Sequence, residues 1–556
     1  MRSLILCSLL LAVLPQAITA RYGRVHVKDG MFYSKDDGRI LMFRGINSVI
    51  KNFPWYDPKM LDPIRQKQLK DWGFNAVRLG MMWSGLEPSE GEVNETYSGL
   101  IKDIVNGLEE NGIYTYLDMH QDTLTGIDGY WGIPKWLSDK LDKSDRPYPW
   151  PMLSTSGFTT WACGYFTEEI SNAFQQLYTN NKGAADYFAN FWLQVTKRFM
   201  NNTAVLGYEL INEPWTGDIY MDPSLLLPGN AGKELLEPFF NKASDAIRSL
   251  DNETMIFWEP VTYAYFVNSG PNSLLDLVLD AYLNTHNISI FFPILKQACG
   301  ELDESFLSQD STFINWFESI AQRFSEMRNI KVEGPSLLGP GFSAPPGGME
   351  YLDRTVLSWH YYCWAIGYGG DEDFDPVLRE GCDKILGPAV FNTVQERAKE
   401  LGGSATFLTE FGTCKPNATL TNSTGTIECN FVLDQADLHL QSWSFWDTAG
   451  GGLLWDSNGE PILDAVIVFT RPYPQATAGV PLSLEFEHVT REFVFKYKPD
   501  LTIMKPTEIY VPPLVYNQGY LVGVPDGVHW EADLENKIHV YSLTNDDVTV
   551  TISPLL

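Results

Sequence analysis

Short apolar runs that end in polar residues recur along this chain, between segments of helical periodicity. Residues 205–211, V-L-G-Y-E-L-I, form one such run, and its length is that of a buried strand. The run stops at N-E-P, since proline cannot donate to a strand ladder, and this leaves Glu213 at the strand end. Residues 405–412, A-T-F-L-T-E-F-G, repeat the pattern with Glu410. Each run therefore predicts a strand that presents an acid at its C-terminal end.

Eight strands of this kind are predicted, and helical patterns separate most of them. The strand segments begin at residues 44, 74, 113, 205, 255, 355, 405 and 442. The helical patterns cover residues 62–72, 98–111, 183–200, 231–250, 386–401 and 432–441. This alternation favours an α/β fold with parallel strands, and eight repeats favour a (β/α)8 TIM barrel. The C-terminal ends of barrel strands converge on one face, where the active site is then expected.

The pattern changes near residue 471. Beyond it, short alternating strands are separated by turn residues and no helical period is visible, which predicts a small antiparallel β-sandwich over residues 471–556. We assign residues 21–470 to the barrel, with insertions at about 122–182 and about 268–335. The predicted architecture is therefore a TIM barrel followed by a C-terminal β-sandwich domain.

The first 43 residues contain two further features. Residues 1–20 combine Arg2, an apolar run and small residues near position 20, which predicts a secretory signal peptide and a secreted or lumenal product. Residues 24–32 and 40–43 are then predicted as two strands with a turn at residues 35–38. No later stretch is long and apolar enough to predict a membrane span.

Composition and charge narrow the classes of function. The chain has 556 residues, 44% of them hydrophobic and 13% aromatic, so a large core is expected. Its formal net charge is -30, and we expect no nucleic-acid partner because such partners need a basic surface. The same charge disfavours adsorption to anionic lipid headgroups. The 17 tryptophans and 26 tyrosines mildly favour a sugar ligand, although most aromatics are expected in the core.

Cysteines and asparagines fit a product of the secretory pathway. Six cysteines follow the predicted signal peptide: Cys163, Cys299, Cys363, Cys382, Cys414 and Cys429. An even number predicts three disulfides among the 15 pairings that six cysteines allow. Closeness in sequence favours Cys363–Cys382 and Cys414–Cys429, which leaves Cys163–Cys299. Six N-x-S/T sequons are candidates for glycosylation: Asn94, Asn201, Asn252, Asn287, Asn417 and Asn422.

Two acids at two strand ends, far apart in sequence, are what glycoside hydrolysis requires. One carboxyl must protonate the leaving oxygen, and the other must act as nucleophile or base. Glu213 and Glu410 are therefore the candidate catalytic pair. The chemistry requires no metal and no cofactor, and no C-x-x-C or H-x-x-x-H spacing indicates a zinc site.

The strand-end motifs together resemble a known family. R-G-I-N, R-L-G, D-M-H-Q-D, I-N-E-P-W, S-W-H-Y-Y, L-T-E-F-G and S-W-S-F-W-D follow one another in this order. They are similar to glycoside hydrolase family 5, of the cellulase-like clan A, and within it to the endoglycoceramidases. R-P-Y-P-Q-A-T-A-G before the predicted sandwich also looks like that subgroup. The segment at about 268–335 departs from the resemblance.

The resemblance implies roles for particular residues. Glu213 would be the acid/base and Glu410 the nucleophile of a retaining enzyme. A second group would surround the two acids: Arg78, His120, Asn212, His360, Tyr362 and Trp446. A third group would contact sugars: Lys51, Asp118 and Asp122.

The resemblance also implies a reaction, with alternatives that remain open. The first hypothesis is hydrolysis of the β-glucosidic bond between oligosaccharide and ceramide in glycosphingolipids, which releases intact glycan and ceramide. The second is another family 5 activity, an endo-β-glucanase or a steryl-β-glucosidase. The third is a non-catalytic carbohydrate-binding barrel. The expected partner is a glycosphingolipid, with peripheral contact to a lipid surface.

A ceramide leaving group requires an apolar surface beside Glu213, since each buried CH2 contributes about 0.8 kcal/mol. The aromatic insertion after the third barrel strand is the expected wall of this groove. Its candidate residues are Tyr130, Trp131, Ile133, Trp136, Tyr148 and Trp150. The alternative is that these aromatic residues pack inward as the core of their own loop.

Overall fold

The computed structural model describes residues 23–124, 132–146, 148–150, 161–226, 229–261, 311, 314–315, 318, 341–363, 380–412, 414, 416–448 and 453–555. The predicted signal peptide and nearly all of the 268–335 insertion lie outside this part of the chain. Within it, a closed eight-stranded parallel barrel packs against two antiparallel sheets. None of the described helices is both long and apolar enough to cross a membrane.

Eight strands form the barrel, and three short strands precede it in the chain. The preceding strands are β1 Val25–Lys28, β2 Met31–Ser34 and β3 Ile40–Leu41. The barrel strands are β4 Arg44–Ser48, β5 Ala76–Gly80, β6 Tyr114–Asp118, β7 Val205–Glu209, β8 Met255–Trp258, β9 Thr355–Tyr361, β10 Ala405–Phe411 and β11 Ser442–Phe445. Neighbours in this order pair in parallel, and β11 closes the barrel against β4, so the predicted barrel is confirmed.

Helices cover the outside of the barrel, where outward-facing strand residues such as Leu79 and Trp359 are buried. The α-helices are α1 Pro63–Asp71, α2 Trp83–Leu86, α3 Glu95–Glu110, α4 Lys135–Ser138, α5 Glu168–Tyr178, α6 Ala184–Phe199, α7 Glu237–Arg248, α8 Gly387–Glu400, α9 Thr424–Leu438 and α10 Leu463–Phe469. Short π-helical turns, Gly232–Leu236 and Cys382–Leu386, lead into α7 and α8. The 3-10 turns are Pro58–Leu61, Trp161–Phe166, Asn181–Gly183, Pro223–Leu226 and Met349–Arg354.

An aromatic layer fills the middle of the barrel. It consists of Tyr116, Phe257 and Phe407, all without solvent exposure. The rings of Tyr116 and Phe257 stack with centroids 5.0 Å apart, and Phe407 lies 5.2 Å from Tyr116. Gly207 makes room for this layer, since a Cβ there would lie 2.4 Å from the Phe257 ring. Burial of large rings between the strands stabilises the closed barrel.

The C-terminal strands form two packed antiparallel sheets. The strands are β12 Tyr473–Thr477, β13 Gly479–Glu487, β14 Glu492–Pro499, β15 Thr507–Tyr510, β16 Tyr520–Gly523, β17 Val528–Ala532, β18 Lys537–Ser542 and β19 Val548–Pro554. One sheet has the order β13-β14-β19-β16. The other has the order β1-β2-β3-β12-β15-β18-β17. Side chains from both sheets share one apolar core, which confirms the predicted sandwich.

The second sheet joins the two ends of the chain. β3 pairs with β12, with Leu41 opposite Ala476 and Ile40 opposite Thr477. The N-terminal strands, which the sequence assignment placed in the 21–470 barrel segment, thus belong to a sheet of the C-terminal sandwich. This pairing ties the sandwich to the lower end of the barrel, away from the strand C-termini.

Two predicted elements differ from the structure. The strand predicted at residues 24–32 is the hairpin of β1 and β2, because Asp29 (φ 52°) and Gly30 (φ 75°) adopt the left-handed conformation of a tight hairpin turn. The helix predicted at residues 432–441 is α9, which begins earlier, at Thr424. Ser423 caps it by accepting a hydrogen bond from the Thr426 backbone N–H at 3.3 Å.

Candidate active site

Above the aromatic layer, the next inward positions of the strands carry charge. We call these residues the charged layer: Arg78, Asp118, Glu209, Glu259, His360 and Glu410. Each is at most 8% exposed. Because successive residues of a strand point to opposite faces, the inward side chains of β6 are Tyr116 and then Asp118. The charged layer thus lies at the C-terminal end of the barrel, where the sequence placed the active site.

Arg78 is the centre of the charged layer and has no solvent exposure. Its guanidinium makes ion pairs with Glu209 and Glu410. Its Nη2 lies 3.2 Å from Asp118 Oδ1 and donates a hydrogen bond to Asn212 Oδ1 at 2.9 Å. One planar fork of donors therefore holds the candidate nucleophile, the candidate sugar-binding amide and two further carboxyls in fixed positions.

A β-bulge turns Glu410 into the barrel. Along β10, Phe407 points inward, and strict alternation would place Thr409 inward and Glu410 outward. Leu408 lies opposite Trp359 of β9, but Glu410, two residues on, lies opposite the next residue, His360. Thr409 is therefore the extra residue of a bulge, a feature that re-aims side chains beside active sites. The Thr409 carbonyl accepts a hydrogen bond from Asn47 Nδ2 at 3.0 Å.

The Glu410 carboxylate is held on both oxygens. Oε1 pairs with Arg78, and Oε2 accepts a hydrogen bond from the Tyr362 hydroxyl at 2.8 Å. His360 Nδ1 lies 3.5 Å from the same Oε2. These contacts suit an ionised carboxylate with a fixed orientation.

Glu213 lies in the loop after β7 and faces the same space. Its backbone has φ 41°, a left-handed conformation that is uncommon for a residue with a side chain. His360 Nδ1 lies 2.9 Å from Glu213 Oε1. One oxygen of Glu213, one of Glu410 and a His360 nitrogen all lie within 4.8 Å of one another, a set of donor atoms that could also hold a metal ion.

The environment gives these groups distinct protonation states. Burial, and next the negative charge of Asp122, raise the pKa of Glu213 to about 7. Burial lowers the pKa of His360 to about 3, so its imidazole is neutral at ordinary pH. Glu213 is therefore able to hold a proton near neutral pH while it lies beside an uncharged histidine.

Lys51, His120, Asp122 and Trp446 form one wall of the site. Lys51 pairs with Asp122, and its Nζ lies 4.8 Å from the centre of the Trp446 ring. The His120 ring stacks on Trp446 with centroids 5.2 Å apart. Burial alone would lower the pKa of His120, but the charge of Asp118 and its hydrogen bond, 2.8 Å long, raise it to about 9. This wall presents a cation, a carboxylate and an aromatic face, which are suitable contacts for sugar hydroxyls and ring faces.

The structure brings together every site residue predicted from the sequence, across β4 to β11 and the loops that follow them. Asn212 is held by Gln121. The Gln121 backbone carbonyl accepts a hydrogen bond from Asn212 Nδ2 at 2.9 Å, and Gln121 Nε2 donates to the backbone carbonyls of Asn212 and Glu213 at 2.6 and 2.9 Å.

Sequence analysis missed four residues that share the site: Gln121, Glu209, Glu259 and Asp447. Glu209 and Glu259 lie in apolar strand runs, two residues after Gly207 and Phe257, so their period-2 position was the available signal. Asp447 follows Trp446 in the S-W-S-F-W-D motif. Burial, which outweighs the opposing charge of Lys51, raises the pKa of Asp447 to about 7.

Two predicted disulfides are confirmed: Cys363–Cys382 and Cys414–Cys429, with Cα atoms 5.9 and 5.6 Å apart. Cys299 and the side chain of Cys163 lie outside the described residues. Five of the six sequons are described and none is buried. Asn201, Asn252 and Asn422 are exposed, Asn94 and Asn417 are half-buried, and Asn287 lies outside the described residues.

The expected aromatic wall is not supported by the residues that the structure describes. Ile133 has no exposure, so it belongs to the core. Trp136 and Tyr148 pack partly buried against the same core, and the Arg146 guanidinium lies 3.6 Å from the centre of the Trp150 ring. These side chains pack inward, as the alternative held, but against the main core and neighbouring segments: Trp136 Nε1 donates to the Glu87 carbonyl at 2.9 Å, and the Trp150 ring lies 5.0 Å from Tyr220. Tyr130 and Trp131 lie outside the described residues.

Comparison with known proteins places this chain in a family. Residues 35–451 match the cellulase family, glycosyl hydrolase family 5, and residues 471–553 match the family 5 C-terminal domain. The chain belongs to glycoside hydrolase family 5. It is thus a glycoside hydrolase, and the resemblance drawn from its strand-end motifs is confirmed.

The similarity to its relatives covers at least three quarters of both chains in each case. It is 30% identical to an endoglycoceramidase of Cyanea nozakii over 537 residues, which cover 90% of this chain and 87% of the relative. It is 28% identical to an endoglycoceramidase of Hydra vulgaris, with 83% and 75% covered. The structure of endo-glycoceramidase II from Rhodococcus sp. is similar with a TM-score of 0.65 at 22% identity, covering 94% of this chain and 99% of that one.

Proposed function

We propose that this glycoside hydrolase is an endoglycoceramidase that cleaves the β-glucosidic bond between oligosaccharide and ceramide with retention of configuration. The observation that carries the reaction is the pair of buried carboxyls, Glu213 and Glu410, whose nearest oxygens lie within 4.8 Å. Retaining glycosidases place these groups about 5–5.5 Å apart, and inverting ones leave room for water between them. The substrate class is supported by the two whole-chain relatives that bear this name.

In the first step, Glu410 attacks the anomeric carbon of the glucose bound to ceramide. The bond from this carbon to the ceramide oxygen breaks, and Glu213 gives its proton to that oxygen. Ceramide leaves with the proton, and the glycan is held as an ester of Glu410. Tyr362 and Arg78 orient the carboxylate for this attack through the contacts described above.

In the second step, Glu213, now ionised, takes a proton from water as the water oxygen attacks the same carbon. The ester bond to Glu410 breaks, and the intact glycan is released with its original anomeric configuration. The neutral His360 ring, 2.9 Å from Glu213 Oε1, stays beside this carboxyl in both protonation states.

On the sugar side of the bond, Asn212 binds the 2-hydroxyl of the glucose, a contact that strengthens in the transition state. Trp446 supplies an aromatic face, and Lys51, Asp118, His120 and Asp122 bind hydroxyls. Support comes from the arrangement of these groups around the acid pair. Lys51 Nζ lies over the Trp446 ring and pairs with Asp122, and the negative charge of Asp122 helps to raise the pKa of Glu213.

On the lipid side, we place the enzyme at a neutral lipid surface. Two large apolar side chains in loops that follow barrel strands are almost fully exposed: Phe53 after β4 (84%) and Met221 after β7 (82%). Both loops emerge at the end of the barrel that carries the acid pair. A net charge of -30 opposes binding to anionic lipid, so the contact is apolar in character.

The proposed compartment is the secretory pathway, with a secreted or lumenal product. Two disulfides and five unburied sequons support it, since disulfides persist in oxidising compartments. Expression in eukaryotic cells should yield protein in the medium whose mass falls on treatment with an N-glycosidase. Retention of all product in the cytosol would contradict this assignment.

A substrate panel tests the proposed activity. The purified enzyme is incubated with ganglioside GM3 in detergent, with a sterol glucoside and with a soluble β-glucan, and the products are identified by mass. We expect intact trisaccharide and ceramide from the ganglioside. Cleavage of the glucan or of the sterol glucoside alone would contradict ceramide as the leaving group. Absence of all turnover would favour a non-catalytic sugar-binding barrel.

A further inference from the structure

Glu259 is a buried carboxyl of the charged layer that the two reaction steps do not use. It follows β8 directly and is 1% exposed. Its Oε2 accepts a hydrogen bond from the backbone N–H of Glu213 at 2.8 Å. A side chain from the next strand therefore holds the backbone of the proposed acid/base.

The backbone at Glu213 needs such a partner. β7 ends at Glu209, and the chain then turns with Glu213 in the left-handed region at φ 41°. A residue with a side chain stays in that region only when its surroundings hold it there. Pro214 follows and has no N–H to donate, so the Glu213 N–H is the donor available at this point of the turn.

Glu259 also faces the side-chain partner of Glu213. Its Oε2 lies 3.7 Å from His360 Nε2, while His360 Nδ1 lies 2.9 Å from Glu213 Oε1. Among the described residues, His360 Nε2 has no hydrogen-bond partner. The carboxyl, the ring and the acid/base thus form a closed loop: Glu259 contacts the Glu213 backbone directly and faces its side chain across the imidazole.

The charge state of Glu259 suits this position. Burial, and next the negative charges of Glu213 and Glu209, raise its pKa well above the usual range, while the hydrogen bond from the Glu213 backbone and then the charge of Arg78 oppose the shift. The facing His360 is uncharged, because burial lowers its pKa. A neutral carboxyl can hold the Glu213 amide without adding a negative charge beside the group that must later ionise.

We propose that Glu259 is the positioning residue of the acid/base: as a hydrogen-bond acceptor, it fixes the Glu213 turn and the His360 ring so that the Glu213 proton points at the leaving oxygen. This inference rests on the proposed role of Glu213 and not on the identity of the lipid. It predicts that loss of the acceptor impairs proton donation more than substrate binding.

The test uses aryl β-lactosides whose phenol leaving groups span a range of pKa values. Glu259→Gln keeps an uncharged carbonyl acceptor of the same reach, and Glu259→Leu removes the acceptor. Glu213→Gln has no carboxyl to donate the proton, so it gives the largest loss of kcat/KM that failed proton donation can cause. A general acid contributes about 10²- to 10⁴-fold, so we expect Glu259→Leu to lower kcat/KM about 10- to 100-fold for phenyl lactoside and less than about threefold for dinitrophenyl lactoside.

We expect Glu259→Gln to recover most of this loss, with a dependence on leaving-group pKa close to that of the wild type. Equal losses on all leaving groups in Glu259→Leu would overturn the proposal, as would a Gln variant as impaired as the Leu variant. Glu259→Asp guards against misfolding of the Leu variant, because it keeps an acid but withdraws the acceptor by one methylene. It should show the steeper leaving-group dependence of the Leu variant, and a wild-type dependence would also overturn the inference.

The soluble lactosides separate this test from the proposed substrate. If the wild type cleaves lactosides but not gangliosides, the ceramide assignment fails while the positioning role is still measured. If the wild type cleaves gangliosides but the Glu259 variants do not differ from one another in their dependence on leaving-group pKa, the positioning role fails and the ceramide assignment stands. Melting temperatures of all variants establish that each is folded at the assay temperature.

Discussion

Two layers of side chains fill the barrel interior, two residues apart on the same strands. On β6, β7 and β8 the lower positions are Tyr116, Gly207 and Phe257. The upper positions are Asp118, Glu209 and Glu259. The aromatic layer packs rings without a charge, whereas the charged layer buries four acids around Arg78 and the neutral His360.

The difference shows how one barrel divides stability from chemistry. Burial of aromatic rings stabilises the barrel, and the three rings have no solvent exposure. The carboxyls above them are also buried, and burial raises the pKa of Glu209 to about 7 although Arg78 opposes the shift. A buried carboxyl is costly for folding, but the same burial gives Glu213 a pKa suited to proton donation.

The largest effect is expected from Glu410→Gln in the charged layer. We expect kcat to fall by at least about 10⁴-fold, because no group then forms the glycosyl ester. The melting transition should stay cooperative, since the aromatic layer is unchanged. Azide added to Glu410→Gly should restore some cleavage with inverted product, and full activity of Glu410→Gln would remove the nucleophile assignment.

In the aromatic layer, Phe257→Ala should act on stability instead. The ring has no exposure and lies against Tyr116 and the space left by Gly207, so its loss leaves a cavity. We expect the free energy of unfolding to fall by about 3–5 kcal/mol, measured by denaturant titration, and Phe257→Leu should cost less. In the folded enzyme kcat should stay within a few-fold of the wild type. A loss of kcat comparable to that of Glu410→Gln would show that the aromatic layer also acts in catalysis.

Asn47→Ala should lower activity by releasing the bulge that aims Glu410. Asn47 Nδ2 donates to the Thr409 carbonyl at 3.0 Å, and small shifts of a nucleophile are costly, so we expect kcat to fall about 10- to 100-fold. Asn75→Ala is the matched control, since Asn75 Nδ2 donates to the Met42 carbonyl at 2.9 Å at the lower end of the barrel. It should reduce stability with little change in kcat. Equal kcat values for the two variants would contradict a role of the bulge.

The last expected effect is the dependence of activity on pH, which is small near the pKa of Glu213 and grows above it. Glu213 donates a proton only while protonated, and its pKa is about 7. Above this pH, kcat/KM for substrates with poor leaving groups should fall about tenfold per pH unit. Activity is lost on the alkaline side because the raised pKa keeps Glu213 protonated up to about pH 7, and above that pH the carboxyl loses the proton that it must donate. Glu213→Gln should lack this limb, and a limb that persists in the variant would assign it to another group.

Much of the site could be predicted because it follows strand periodicity. The eight strands, the acids at their ends and two disulfides were visible as short apolar runs, turn residues and close cysteine pairs. Glu209 and Glu259 escaped because the period-2 pattern shows which residues of a strand share a face, but inside an apolar run it does not show which face is the barrel interior. The expected aromatic wall is not found at Ile133, which is buried in the core. Apolar residues that fill a core and apolar residues that line a groove look alike in the sequence.

The sequence by itself determined the barrel, its strand order and the family, because these depend on local periodicity and on motifs that each lie within one strand end. Only the tertiary structure decided which residues meet. The Thr409 bulge reverses the side to which Glu410 points, and it exists through pairing with β9 and the hydrogen bond from Asn47. The pairing of β3 with β12 likewise joins residues more than 400 positions apart. Contacts of this kind depend on the closure of the whole barrel, and no window of the chain encodes them alone.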